Sequence, residues 1–269
     1  MTEETLLFQV DSRGVATATF NRPRVRNAYN GRMLEALLQA LARCEGDEGV
    51  RVVVLRGNGP VFQSGADLDW LDGLRASSEA ENVEASRRTA QVFRALAECP
   101  KPTVARVQGG CFGGGVGIAA ACDVVVASRD ARFAITEARW GLLPSIIVPQ
   151  LNAAIGVRNV RRYALSCEQF DAETARRIGL VHEVCEPDSL DEVSEPIIEA
   201  LLASAPQALR ELKRLILEQA GASMDDDYFE RLVRAHADKR ASAEASEGMA
   251  SFREKRAPAW SAPTVQQGR

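Results

Sequence analysis

Three short runs limit what this chain can fold into: Arg51–Arg56 (RVVVLR), Thr103–Val107 (TVARV) and Asp123–Ala127 (DVVVA). The first and third are β-branched and apolar through their centres, with no alternation between an inner and an outer face. Strands of that kind are buried on both sides, as in a parallel sheet covered by helices. Before the first run and between the first two, apolar residues recur at helical spacing. Met33, Leu34, Leu37, Leu38 and Leu41 follow a capping Asn30-Gly31, and Val92, Phe93 and Leu96 form a second set. Strand alternating with helix predicts an α/β architecture. Residues 5–20 read as a hairpin, with Asp11–Gly14 as its turn and Asn21-Arg-Pro23 as its stop. Residues 71–85 are polar and read as a mobile connection. From about 146 to 256 the pattern is mostly helical, with one strand over Leu180–Val184, and the tail from Ala257 reads as poorly ordered.

Composition removes several classes of function. With 46% hydrophobic residues in a 269-residue chain, a core forms without disulfide or metal staples. Thirty-three basic against 37 acidic residues, net −4, argues against a nucleic-acid partner. No apolar run is long enough to span a membrane, and the acidic start MTEET lacks the pattern of a leader. Six cysteines without a CxxC pair, and only two histidines, exclude zinc fingers and HExxH sites. The cysteines read as reduced, buried thiols, which predicts a cytoplasmic protein. His182 reads as structural and His236 as a surface residue.

Three segments carry possible chemistry. Gly113-Gly114-Gly115 precedes a helix of small residues. It serves either close packing or, through free N–H groups at a helix N-terminus, a small oxyanion. The spacing excludes a dinucleotide fingerprint, and no lysine completes a phosphate loop. Ser64-Gly65-Ala66-Asp67 follows Val61-Phe62 and opens a helical stretch that Asp67 can cap. The third segment sets Glu137 between Ile135 and Trp140. In that apolar setting burial would raise its pKa toward a useful acid or base; alternatively it pairs with Arg132 or Arg139.

In order and spacing these segments resemble the crotonase family (enoyl-CoA hydratase/isomerase). Asn21-Arg-Pro23 with Asn27-Ala28 is similar to the family's N-R-P-x-x-x-N-A. Phe62–Leu68 is similar to F-x-A-G-A-D-L/I, Gly113–Asp123 to G-G-G-x-x-x-A-x-x-C-D, and Phe133–Pro144 to F-x-x-x-E-x-x-x-G-x-x-P. The resemblance implies an α/β crotonase (ClpP-like) spiral of ββα repeats over residues 1–200, with a C-terminal helical trimerisation region over 201–256 and a tail at 257–269. It implies acyl-CoA thioester substrates, no separate cofactor (coenzyme A being part of the substrate), and a homotrimer or dimer of trimers. The thioester oxygen would sit between the N–H groups of Ser64 and Gly114. Ala28, Gly65, Ala66, Asp67 and Leu68 would line the coenzyme channel, and Arg24 and Arg26 would meet its phosphates. Trp70, Gly117 and Trp140 would bound the acyl pocket, with Glu137 as the acid/base.

The chain departs from the family at two positions. Ser64 replaces the usual alanine, which a backbone donor tolerates. Gly117 stands where hydratases carry a second glutamate. One carboxylate can still hydrate by taking a proton from water and returning it to the same face. The segments Gly113–Gly117, Leu142–Ser145 and Ile155–Tyr163 resemble a bacterial subgroup that hydrates branched, carboxylated enoyl-CoAs, such as 3-methylglutaconyl-CoA and isohexenylglutaconyl-CoA. On that reading Gly117 makes room for the branch, or the substrate's own carboxylate holds the water there, and Arg139 either meets that carboxylate or forms a surface salt bridge. A double-bond isomerase, a decarboxylase or thioesterase, and a non-catalytic acyl-CoA-binding trimer are the alternatives.

Overall fold

The computed structural model describes residues 4–220 and 225–261. The N-terminal hairpin forms as the alternation predicts: β1 (Leu6–Val10) runs antiparallel to β2 (Val15–Phe20). The remaining strands of the main sheet are β3 (Val52–Gly57), β4 (Thr103–Val107), β6 (Val124–Ser128) and β9 (Glu183–Cys185), all joined in parallel, in the order β1-β2-β3-β4-β6-β9. The three apolar runs occupy its centre, where Val53, Leu55, Ala105, Val107, Val125 and Ala127 enter the core. A second sheet is made of three very short strands, β5 (Gly110–Phe112), β7 (Arg132–Ala134) and β8 (Phe170–Asp171).

Helices cover the main sheet. In α1 (Gly31–Gly46) the Asn30 side chain accepts from Met33 N–H at 3.1 Å, and the buried face carries Met33, Leu34, Leu37 and Leu41. The polar stretch over 71–85, expected to be mobile, is mostly helical: it holds the end of α2 (Leu68–Arg75) and the first two turns of α3 (Glu79–Ala97). A capping box between Ser78 and Glu81 starts α3, whose first half is polar because it faces solvent, while Val92, Phe93 and Leu96 are buried. The glycine cluster leads into α4 (Gly114–Ala121), almost wholly buried, and beyond it lie α5 (Val148–Ser166) and α6 (Ala172–Arg177).

The chain divides into two compact units, Met1–Ile197 and Ile198–Arg269. After α7 (Leu190–Ala203), the second unit contains α8 (Pro206–Gln219), α9 (Asp226–Arg240) and α10 (Ala243–Glu254). Part of the tail expected to be poorly ordered is placed there, with Trp260 Nε1 donating to the Ala203 carbonyl at 3.1 Å. Residues 262–269 of that tail lie outside the described residues.

Candidate active site

The first glycine-containing loop follows β3. Its Gln63 joins β5 through Gln63 N–H to the Gly110 carbonyl (3.1 Å) and Phe112 N–H to the Gln63 carbonyl (2.9 Å). On its other side Tyr29 N–H donates to the Gly65 carbonyl (2.9 Å) and Asp67 N–H to the Tyr29 carbonyl (2.8 Å). Gly65 has φ +91°, a conformation that glycine adopts without strain. The fully buried Gln63 side chain clamps this peptide: Oε1 accepts from Gly65 N–H at 2.6 Å and Nε2 donates to the Gly65 carbonyl at 3.2 Å. Ser64 N–H, between the two clamped positions, has no acceptor among the described residues.

The second loop leads from β5 into α4. Gly113 N–H is held by the Ala134 carbonyl at 2.8 Å, and Gly113 has φ +52°. Gly114 is the first residue of α4, so its N–H has no intrahelical acceptor, and none is found elsewhere among the described residues. The two loops touch, since a Cβ built on Gly65 would lie 3.2 Å from the Phe112 carbonyl oxygen and 3.8 Å from Gly114 N. Two unbonded N–H groups thus lie on touching loops, one at a helix N-terminus where the dipole favours negative charge. That arrangement suits a developing oxyanion.

Glu137 opens a 3₁₀ turn, Glu137–Trp140, after β7. It reaches the second loop, as a Cβ on Gly113 would lie 3.2 Å from Glu137 Oε1. Its Oε2 is buried without a hydrogen-bond partner. Burial raises the pKa of the carboxyl, against a smaller pull downward from the N–H groups of Glu137 and Thr136. Neither of the alternative ion pairs forms among the described residues. Arg132 Nη1 donates to the carbonyls of Arg129 and Ala131, and Arg139 Nη2 to that of Cys167 at 3.1 Å.

The opening motif proves to be scaffolding for these loops. Asn27, fully buried with φ +57°, donates to the carbonyls of Asn58 and Val61 and accepts from Arg22 N–H. Arg22 Nη1 donates to the Ala28 carbonyl at 2.6 Å, and its Nη2 lies 2.7 Å from Asp67 Oδ2. Asp67 Oδ1 caps α2 by accepting from Asp69 and Trp70 N–H. Both Asp67 oxygens are therefore engaged within the chain. Burial alone would raise that carboxyl, but the Arg22 guanidinium and the capped N–H groups outweigh it and hold it below its usual range.

The other expected residues divide. Ala28 is buried, Ala66 is half-buried in its bridge to Tyr29, and Leu68 is exposed. Arg24 and Arg26 are exposed. Arg24, with Arg22, Arg32, Asn21 and Asn30, lines a cleft of about 290 Å³, which Arg26 does not reach. Trp70 packs edge-on against Tyr29 at 6.0 Å and lines a cavity of about 500 Å³ with Leu34, Leu38, Ala85 and Val92. Gly117 does not bound open space. A Cβ there would lie 2.4 Å from Ile147 Cγ2 and 3.0 Å from Phe93 Cε1, so the room expected for a substrate branch is filled by the protein's own side chains. Trp140, expected as a pocket wall, is 72% exposed, because the turn that sinks Glu137 leaves it outside. His182 is structural, with Nδ1 accepting from Val125 N–H at 3.0 Å.

Two residues of the site were not expected from the sequence, Gln63 and Tyr29. Gln63 carries no motif signal, and Tyr29 gives only an apolar one. A Cβ on Gly114 would lie 2.5 Å from the Tyr29 hydroxyl, so the ring stands against the second loop.

A model of the enoyl-CoA hydratase/isomerase family matches residues 11–263. A Thermus thermophilus protein named as an enoyl-CoA hydratase is 35% identical over 252 residues, which is 94% of this chain and 99% of its own. The 2,3-dehydroadipyl-CoA hydratase of Escherichia coli is 31% identical over 252 residues, 91% of this chain and 94% of that protein. Among solved structures, an enoyl-CoA hydratase from Shewanella pealeana matches with a TM-score of 0.92 at 32% identity, over 95% of this chain and 96% of that one.

Proposed function

The chain belongs to the enoyl-CoA hydratase/isomerase (crotonase) family, and from that premise we propose that it adds water across the 2,3 double bond of a branched enoyl-CoA carrying a second carboxylate, of the 3-methylglutaconyl or isohexenylglutaconyl kind. The observation that carries the hydration is the approach of the Glu137 carboxyl, its Oε2 unpartnered, to the loops that carry the unbonded N–H groups of Ser64 and Gly114. Glu137 takes a proton from water as the water oxygen bonds Cβ. The π pair moves toward the thioester oxygen, which the two N–H groups hold as an enolate, and Glu137 then returns its proton to Cα. One such donor is worth about 3–4 kcal/mol of barrier. A carboxylated acyl group is supported by the likeness of Gly113–Gly117, Leu142–Ser145 and Ile155–Tyr163 to that subgroup, and by a relative named for a dehydroadipyl thioester. Since Gly117 is closed, the acyl branch goes to the cavity beside Trp70, whose wall includes Arg88. The cleft at Arg24 takes the coenzyme phosphates. Six buried thiols support a reducing compartment, the cytoplasm.

A second reading, shift of a double bond, is favoured by the same Gly117, because a proton shuttle needs one carboxylate only. The deciding experiment offers crotonyl-CoA, 3-methylglutaconyl-CoA, isohexenylglutaconyl-CoA and a 3-enoyl-CoA to the protein and to Glu137→Gln, following products by mass. Gain of one water on a glutaconyl substrate, lost in the variant, is expected. Conversion of the 3-enoyl thioester without change of mass would make the protein an isomerase and overturn the hydratase reading.

A further inference from the structure

Tyr29 is 7% exposed, and its hydroxyl bonds to no described residue. Its position is nevertheless fixed from both ends. The backbone is bridged to Ala66, between Gly65 and Asp67. The ring stands edge-on to Trp70 at 6.0 Å and to Phe93 at 6.4 Å. The fixed ring delivers the hydroxyl to Gly114, while Glu137 Oε1 lies against Gly113. Two consecutive glycines are thus flanked by a phenol and a carboxylate, and the peptide between them supplies one of the two unbonded N–H groups. No side chain of α4 can furnish a second polar group here, because Ile147 and Phe93 close the space at Gly117. Phe93 therefore does two things: it shuts that space and braces the tyrosine.

Resting on the hydratase reading, we propose that Tyr29 is a catalytic residue whose hydroxyl accepts the second hydrogen of the water that Glu137 deprotonates, holding that water beside Cβ. The electron and proton balance is unchanged by it. One water proton passes to Glu137 and on to Cα, the water oxygen bonds Cβ, the π pair passes through the enolate to the new Cα–H bond, and Tyr29 exchanges hydrogen bonds only. Burial, and secondarily the charge of Glu137, push the phenol well above its ordinary pKa, so it stays protonated throughout.

The test separates holding the water from holding the thioester. Tyr29→Phe removes one oxygen and keeps the ring contacts with Trp70 and Phe93. Hydration of whichever enoyl-CoA the wild type hydrates is compared with exchange of the α-protons of a saturated acyl-CoA in D2O, which uses Glu137 and the two N–H donors but no attacking water. The expected pattern is a fall in hydration kcat on the order of 100-fold, with exchange within about threefold of wild type, while Glu137→Gln loses both. Hydration that survives in Tyr29→Phe, or exchange that falls in parallel with it, overturns the inference and leaves the hydratase reading intact. A wild type that hydrates nothing overturns the hydratase reading, and this inference with it.

Discussion

One oxygen of the Glu137 carboxylate is buried without a partner, and burial raises the group's pKa. Raised in the folded state, the carboxyl favours folding less when it is charged. The native state suffers nothing below the unfolded pKa, where the group is neutral in both states, and loses stability as pH rises through the folded pKa. Glu137→Gln is therefore expected to abolish turnover and yet raise the thermal midpoint at pH 7–8, with the gain vanishing near pH 4. Melting curves across that range check it; a variant that melts lower than wild type at neutral pH would show the carboxylate to be satisfied. Asp67 makes the contrast. It too is buried, but Arg22 and the α2 N-terminus keep it charged. The surroundings alone push the two acids in opposite directions, Glu137 toward its neutral form and Asp67 toward its charged one.

At the scale of elements, α4 is where packing overrules chemistry. Its small residues let it lie within the core, and Gly117 faces Ile147 Cβ at 2.7 Å for an added Cβ. Overpacking of this kind costs about 1–3 kcal/mol, so Gly117→Ala is expected to lower the denaturant midpoint with the slope unchanged, and Gly117→Glu to fold poorly rather than restore a second acid. Gly117→Ala as stable as wild type would show that Ile147 yields. The strands at the sheet centre were legible in sequence because double-sided burial writes itself as β-branched runs. The second sheet was not, since two or three residues, as in β8, are too few for a period to show. The helices within 71–85 were not legible, because their polar residues face solvent and the capping box, Ser78 with Glu81, is a local signal in an otherwise unpatterned segment. Within the site, Ser64, Gly114 and Glu137 were legible by motif. Gln63 and Tyr29 were not, because what they do exists only once residues 29, 63–65 and 114 are brought together. Trp140 failed in the opposite sense: an aromatic beside the acid suggested a wall, and it faces outward.

For the whole molecule, the exposed apolar side chains weigh most. The first unit presents Trp140, Leu143, Val157 and Leu165, the second Leu212, Ile216, Phe229 and Phe252, the last 86% exposed. Where such side chains gather on one face they mark contact with another protein surface, and no described helix is long and apolar enough to cross a membrane. The chain is expected to sediment as a trimer or a pair of trimers, and Phe252→Asp to move it toward the monomer at micromolar concentration. A wild type that sediments as a monomer would refute this.

The groups of the site share one feature of placement. Tyr29 comes after β2, Ser64 after β3, Gly114 after β4 and β5, and Glu137 after β7. Each therefore depends on a pairing between strands far apart in the chain, the kind of contact that forms slowly. Full hydration is expected only once all of these pairings have formed. During refolding, hydrogen-bonded strands and collapsed helices can accumulate in silence, and turnover returns only when the last crossover has closed. The reaction itself is thus the strictest clock of the folding of this chain.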